Sequence, residues 1–199
     1  MKMAKISKEV INKLARKAGV KSLSGLTHEE IIGNVLVMIQ KILRNCILIS
    51  NNRKTITLDD IKYSFDFLGH KLYTYDEDIS KCKTFTKTKV KNKYLKQIKY
   101  YQNQADCVYI PKASFKKIVK NELNNLQYDL PDDLQYSKNM KISNIALDHF
   151  QFAIESLCIE LLEKAYKLAI THAKRITLQP KDIAAVRYIL SNSDPLLGS

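Results

Sequence analysis

Two long amphipathic stretches dominate this chain, and each is flanked by shorter ones. The first runs from Leu26 to about Ile49. Ile31, Ile32, Val35, Leu36, Met38, Ile39, Ile42, Leu43, Cys46 and Ile47 recur there at helical spacing. The second runs from about Ser143 to Thr171. Its apolar positions are Ile145, Leu147, Phe150, Ala153, Ile154, Leu157, Cys158, Leu161, Leu162, Ala165, Leu168 and Ala169. A helix of about 24 residues is a rod of roughly 36 Å. Such a rod with two short flanks cannot close a compact core by itself. Two of them can, crossing so that each buries the other's stripe. The expected fold is all-α, with two short–long–short units paired inside one chain.

The shorter elements carry their own punctuation. Ser7 is placed to cap a helix through Lys17, and Gly19 to end it. Thr27 and Glu30 have capping-box spacing at the start of the first long helix. Thr57 suits the N-cap of a helix from Leu58 to Leu68, stopped at Gly69. The second half adds an amphipathic helix, Tyr94 to Gln104, before a short one from Ala113 to Leu126. Pro180 suits the first position of the last helix, which runs to about Leu190. Only 5 Gly and 4 Pro among 199 residues agree with a helical chain.

The formal net charge is +13. Residues 1–75 carry 13 basic and 6 acidic side chains, residues 76–93 carry 6 and 3, and residues 94–199 carry 14 and 11. The chain divides there into a first unit at 1–75, an exposed basic linker at 76–93 and a second unit at 94–199. The charge leaves nucleic acid, an anionic membrane surface and an acidic protein open as partners. No uninterrupted apolar run nears the ~18–20 residues of a membrane span, and the first residues do not read as a signal peptide. Cys46, Cys82, Cys107 and Cys158 form no CxxC pair. The expectation is a reducing compartment with no disulfide framework and no metal site. His28, His70, His149 and His172 have no ligand spacing. No nucleophile–base pair stands out either, so neither enzyme activity nor a cofactor is expected.

The sharpest local signal is an internal echo. Arg53-Lys54-Thr55-Ile56-Thr57-Leu58-Asp59-Asp60-Ile61 precedes the last helix of the first unit. Arg175-Ile176-Thr177-Leu178-Gln179-Pro180-Lys181-Asp182-Ile183 precedes that of the second. Both have Arg first, Thr two on, Asp seven on and Ile eight on. Asp60 and Asp182 fall in a helical first turn, where the dipole favours an anion. Each can reach back to its arginine and clamp the loop. The Thr hydroxyl, basic side chains and backbone amides are then left to face phosphate.

These residues resemble the core histones. Leu14 to Leu26 (Leu-Ala-Arg-Lys-Ala-Gly-Val-Lys-Ser-Leu-Ser-Gly-Leu), with Glu29, Glu30 and Gly33, is similar to histone H-four. So are Arg53 to Thr57, Asp60, Tyr63 and Leu72-Tyr73. The second half resembles histone H-three through Leu95, Ile98, Tyr101-Gln102, Phe115 and Ile118-Val119-Lys120. His172 to Thr177 and Pro180 to Ile183 are its most specific match. A fusion in this order resembles the histone doublets of giant viruses such as the marseillevirus group.

The resemblance implies two histone folds in an intramolecular handshake that bends double-stranded DNA around itself. It implies DNA contacts at Arg16, Lys17 and Lys21, and at Arg53, Lys54 and Thr55. In the second half it implies Lys96, Lys99, Lys112, Lys117, Lys120, Lys141, Lys174, Arg175 and Thr177. It further implies self-association with a second copy around His172, Asp182 and Arg187. Tyr63, Phe65, Leu72, Tyr73 and Tyr75 would face a second doublet resembling histones H-two-B and H-two-A, the alternative for Tyr63 and Phe65 being a place in the core of this chain. No membrane partner is implied. The expected role is compaction of viral genomic DNA in nucleosome-like particles with little sequence specificity. The expected location is the virion, and in the host a nucleus or cytoplasmic viral factory. The alternative is a histone-fold subunit of a transcription factor complex. Ser22 stands where H-four has its minor-groove arginine, and Lys141 approximately where H-three has one. Both departures imply a weaker grip per site.

Overall fold

The computed structural model describes residues 6–51, 53–72, 80–81, 93–104, 107–128 and 140–198. Among them the first unit consists of α1 (Lys8–Lys17), α2 (Thr27–Ile49) and α3 (Leu58–Phe67). The second consists of α4 (Lys93–Gln102), α5 (Lys112–Tyr128), α6 (Asn144–Thr171) and α7 (Pro180–Leu190). Tyr73, Tyr75 and most of the linker at 76–93 lie outside the described residues.

Local chemistry sets most helix ends. Ser7 accepts the Val10 N–H, and Ser143 accepts the Ala146 N–H at 3.2 Å. Thr57 and Asp60 form a capping box at α3, and Pro180 opens α7. Gly19 and Gly69 follow α1 and α3 at φ +82, a left-handed conformation that glycine adopts without steric cost. The capping box expected at Thr27 is not formed. Helix α2 has Leu26 at its N-cap, with no side-chain cap bond. The fully buried Thr27 hydroxyl instead donates to the Leu178 carbonyl at 3.1 Å, across the two units.

The long helices α2 and α6 form the centre. Ile39, Ile42, Leu43 and Cys46 of α2 and Leu147, Phe150, Ile154 and Leu162 of α6 are among the residues that close one continuous core. Helix α2 is long and apolar enough by composition to cross a membrane, but half of its most apolar window is buried against this fold. Phe115 of α5 meets Phe150 edge-on at 5.6 Å. Cys46 and Cys158 are free, and burial pushes both thiols up to about 12, so they pack as neutral groups.

Short parallel ladders join the units at their loops. β1 (Ser22–Leu23) pairs with β6 (Thr177–Leu178), setting Ser22 beside Thr177. β2 (Thr55–Ile56) pairs with β5 (Lys141–Ile142), setting Thr55 beside Lys141. The ladder continues into flanking bonds, Ser24 N–H to Leu178 O at 3.0 Å and Ser143 N–H to Ile56 O at 3.1 Å. The loop before each long helix thus meets the loop after the other one.

One feature adds to the picture of the linker, and another corrects the expectation for the cysteines. β3 (Ser80–Lys81) pairs in parallel with β4 (Cys107–Val108), so the linker is anchored at that point. Cys107 is disulfide-bonded, against the expectation of no disulfides. The remaining cysteine, Cys82, lies outside the described residues.

Candidate nucleic-acid interface

The basic loops converge because the ladders bring them together. At one end stand Lys21, Ser22, Lys174, Arg175 and Thr177; at the other, Arg53, Lys54, Thr55 and Lys141. Lys21, Lys54, Thr55, Lys141 and Lys174 are exposed, while Arg175 and Thr177 are half-buried. Lys174 takes a left-handed backbone at φ 51, and Asn51 one at φ 43 in the equivalent loop. A non-glycine residue holds that conformation at a cost of about 1 kcal/mol or more. The tight turn it makes lets the Arg175 N–H reach the Ala169 carbonyl at 3.0 Å.

Each loop carries one arginine–aspartate clamp. Arg53 Nη2 lies 2.5 Å from Asp60 Oδ1, and Arg175 Nη2 lies 2.6 Å from Asp182 Oδ1. The second oxygen of each carboxylate accepts the N-cap backbone N–H, from Thr57 at 2.8 Å and from Gln179 at 2.9 Å. Arg53 Nε also donates to the Ser50 carbonyl at 3.1 Å. Asp60 and Asp182 are buried, so the carboxylate end of each clamp is shielded from screening by salt. Arg53 keeps 53% of its side chain exposed, so the clamp does not enclose it.

Other basic residues fall into two groups. Lys96, Lys99, Lys117 and Lys120 are exposed on α4 and α5. Three are engaged inside the protein. Lys112 is paired with Asp148 at 2.6 Å. Lys17 lies over the Tyr109 ring at 5.5 Å. Arg16 Nη1 donates to the Val20 carbonyl at 2.5 Å, its Nε to Gln97 Oε1 at 3.3 Å, and its guanidinium covers the Tyr94 ring at 4.9 Å. The sequence reading missed Asp148, Gln97 and Tyr94. Each sits on a helix distant in sequence from its partner, and no local spacing announces such a pair.

Two residues assigned by resemblance to protein interfaces are interior. Phe65 is 2% exposed and packs in the core, so it does not face a partner. Its i−4 neighbour Ile61 is fully buried too, and the i, i+4 spacing of two apolar side chains is the sequence signal for the inner face of α3. Tyr63 and Phe67 occupy the outer face, 63% and 80% exposed. Asp182 is likewise no surface group, since both carboxylate oxygens are spent on the clamp and cap. Arg187 points toward the first unit, 3.7 Å from Glu30. It lines an open groove with Leu26, Glu29, Gly33, Val37 and Pro180. His172 is exposed beyond α6, and Leu72 is half-buried against the core.

A buried carboxylate that the sequence did not flag organises the approach to α5. Glu155 of α6 accepts the Tyr109 N–H at 2.7 Å and the Ile110 N–H at 2.9 Å, with Gln151 at 3.0 Å. Burial nevertheless holds its pKa above the ordinary carboxylate range. Among the described residues, no three His, Cys, Asp or Glu side chains gather to hold a metal.

The core histone domain, shared by histones H-two-A, H-two-B, H-three and H-four, matches residues 90–189, which span α4 to α7 and both of their basic loops. The chain belongs to the core histone family. This family is structural rather than enzymatic, with a fold that serves DNA binding and histone–histone dimerisation. The mostly helical, all-α fold agrees with that membership. Helix N-termini and exposed basic loops are suited in general to bind phosphate.

Proposed function

We propose that this core histone is a doublet, an H-four-like unit at 1–75 joined through the 76–93 linker to an H-three-like unit at 94–199. It wraps viral genomic DNA into nucleosome-like particles. The observation that carries this reading is the pairing of β1 with β6 and β2 with β5. It sets two basic ledges at opposite ends of one unit pair, each held by an arginine–aspartate clamp. Contacts to phosphate and groove carry no base code, so duplex DNA is bound with little sequence preference. Covalent linkage favours the pairing by raising the effective concentration of one unit near the other.

The particle takes a second copy of the chain, meeting around His172 and Arg187. It also takes a doublet resembling histones H-two-B and H-two-A, against the exposed Tyr63 side of α3. The protein resides in the virion and, during infection, in a nucleus or cytoplasmic viral factory. Nuclease digestion of DNA reconstituted with this chain and the second doublet tests the packaging role. A ladder of protected fragments is expected. Uniform degradation at saturating protein rejects wrapping.

A further inference from the structure

We infer that Arg16 is a positioning residue: it staples the extra helix α4 of the second unit onto α1 of the first, and so sets where Lys96 and Lys99 meet DNA. The DNA part of this inference rests on the wrapping function proposed above.

Helix α4 has ten residues, too few to be stable alone in water. Its one buried side chain is Tyr101, which meets Tyr109 edge-on at 5.8 Å near the helix C-terminus. That end also abuts the α1 turn, where a Cβ on Gly19 would stand 3.6 Å from Gln102 Nε2. Among the described residues, the N-terminal half has no fully buried side chain. Tyr94 and Leu95 are 57% and 49% exposed. Arg16 supplies the missing hold with one planar group. Its Nε binds Gln97, its face covers Tyr94, and its Nη1 ties Val20, the residue that leads into β1. A lysine at this position would keep the charge but lose the fork and most of the stacking. Lys96 and Lys99 lie on the exposed side of the helix held in this way. The direction in which they project is therefore set by the staple.

The test compares Arg16→Lys, Arg16→Gln and Gln97→Ala in the full chain. Hydrogen exchange without DNA reads the staple, and nuclease protection with salt-dependent duplex binding reads its consequence. All three variants are expected to exchange residues 93–98 about tenfold faster, as a local opening of that half-helix. They are also expected to shorten the protected DNA fragment. Arg16→Lys should behave like Arg16→Gln although it retains the charge. Gln97→Ala leaves α1 untouched, so faster exchange in it separates loss of the staple from damage to α1. The inference is overturned if exchange in 93–98 is unchanged in all three. It is also overturned if Arg16→Lys matches the parent while only Arg16→Gln lowers the salt slope, the behaviour of a phosphate ligand. If the parent chain protects no DNA, the packaging role fails, and exchange alone still decides the staple.

Discussion

Asp182 Oδ1 stands 2.6 Å from Arg175 Nη2, while Asp182 Oδ2 takes the Gln179 N–H at 2.9 Å. One carboxylate thereby locks the loop after a long helix to the start of the next. Asp60 does the same for Arg53 and Thr57, and also accepts the Thr57 hydroxyl at 2.9 Å. Removing such a carboxylate leaves a guanidinium and a cap N–H unsatisfied. Asp60→Ala and Asp182→Ala should each lower stability by about 2–4 kcal/mol. Arg53→Ala should cost about 1 kcal/mol or less, because its side chain is half exposed and the Asp60 cap survives. Urea unfolding midpoints measure all three. An Asp60→Ala midpoint equal to the parent's would show that the clamp does not stabilise the fold.

What the sequence made legible was local. Thr57, Ser143, Pro180 and Gly69 act within a turn of their own position, so spacing alone located them. The arginine–aspartate pairs span seven residues and close over one loop. Thr27 shows where this limit lies. Its spacing to Glu30 suited a capping box, but the Leu178 carbonyl competes for the hydroxyl, and only the paired ladders bring it near. The same limit applies to Arg16 and Lys112, for which the resemblance implies DNA contacts and no local spacing announces a partner within the chain. Gln97, Tyr94 and Asp148 occupy them, and each arrives through tertiary packing.

Phe65 and Tyr63 sit two residues apart on opposite faces of α3, and their substitutions should separate cleanly. Phe65 is fully enclosed, so Phe65→Ala should cost about 3–5 kcal/mol through lost burial and the cavity left behind. Tyr63→Ala should change monomer stability by about 0.5 kcal/mol or less. Thermal or urea unfolding of the isolated chain measures both. A severe loss from Tyr63→Ala would place that ring in the folding core rather than on an open face.

The C-terminal segment crosses back to the first unit. Asp194 Oδ1 lies 3.0 Å from His70 Nε2 and accepts the N–H groups of Leu196 and Leu197, while Lys41 Nζ donates to the Pro195 carbonyl at 2.7 Å. Leu196 and Leu197 are 1% exposed as a result. Burial pushes the Asp194 carboxyl up, but the His70 hydrogen bond, the Leu197 N–H, the His70 charge and the Leu196 N–H together hold it below its ordinary 3.8. A depressed carboxylate contributes stability that is present above the ordinary value and lost as pH falls through the lowered one. Corrected for the intrinsic amide rate at each pH, exchange of residues 191–198 should therefore stay slow near neutral pH and quicken in acid below about pH 4. Asp194→Asn should be fast at both. Protection in Asp194→Asn equal to the parent's at neutral pH would show that the leucines alone hold the segment.

Salt dependence distinguishes the exposed lysines from the engaged ones. Lys54 and Lys141 flank the β2–β5 ledge, where the Lys141 N–H donates to the Lys54 carbonyl at 2.9 Å, and both side chains are exposed. Each phosphate contact contributes about 0.9 to the slope of log affinity against log salt. Changing both lysines to alanine should flatten that slope by nearly 2, equally for duplexes of unrelated sequence. Lys112 is held by Asp148, so Lys112→Ala should change the slope much less. Anisotropy titrations over a salt series give all the slopes. A drop for Lys112→Ala as large as that for Lys54→Ala alone would mean the ion pair opens onto DNA. The DNA-facing surface would then extend from the loop ledges along the start of α5.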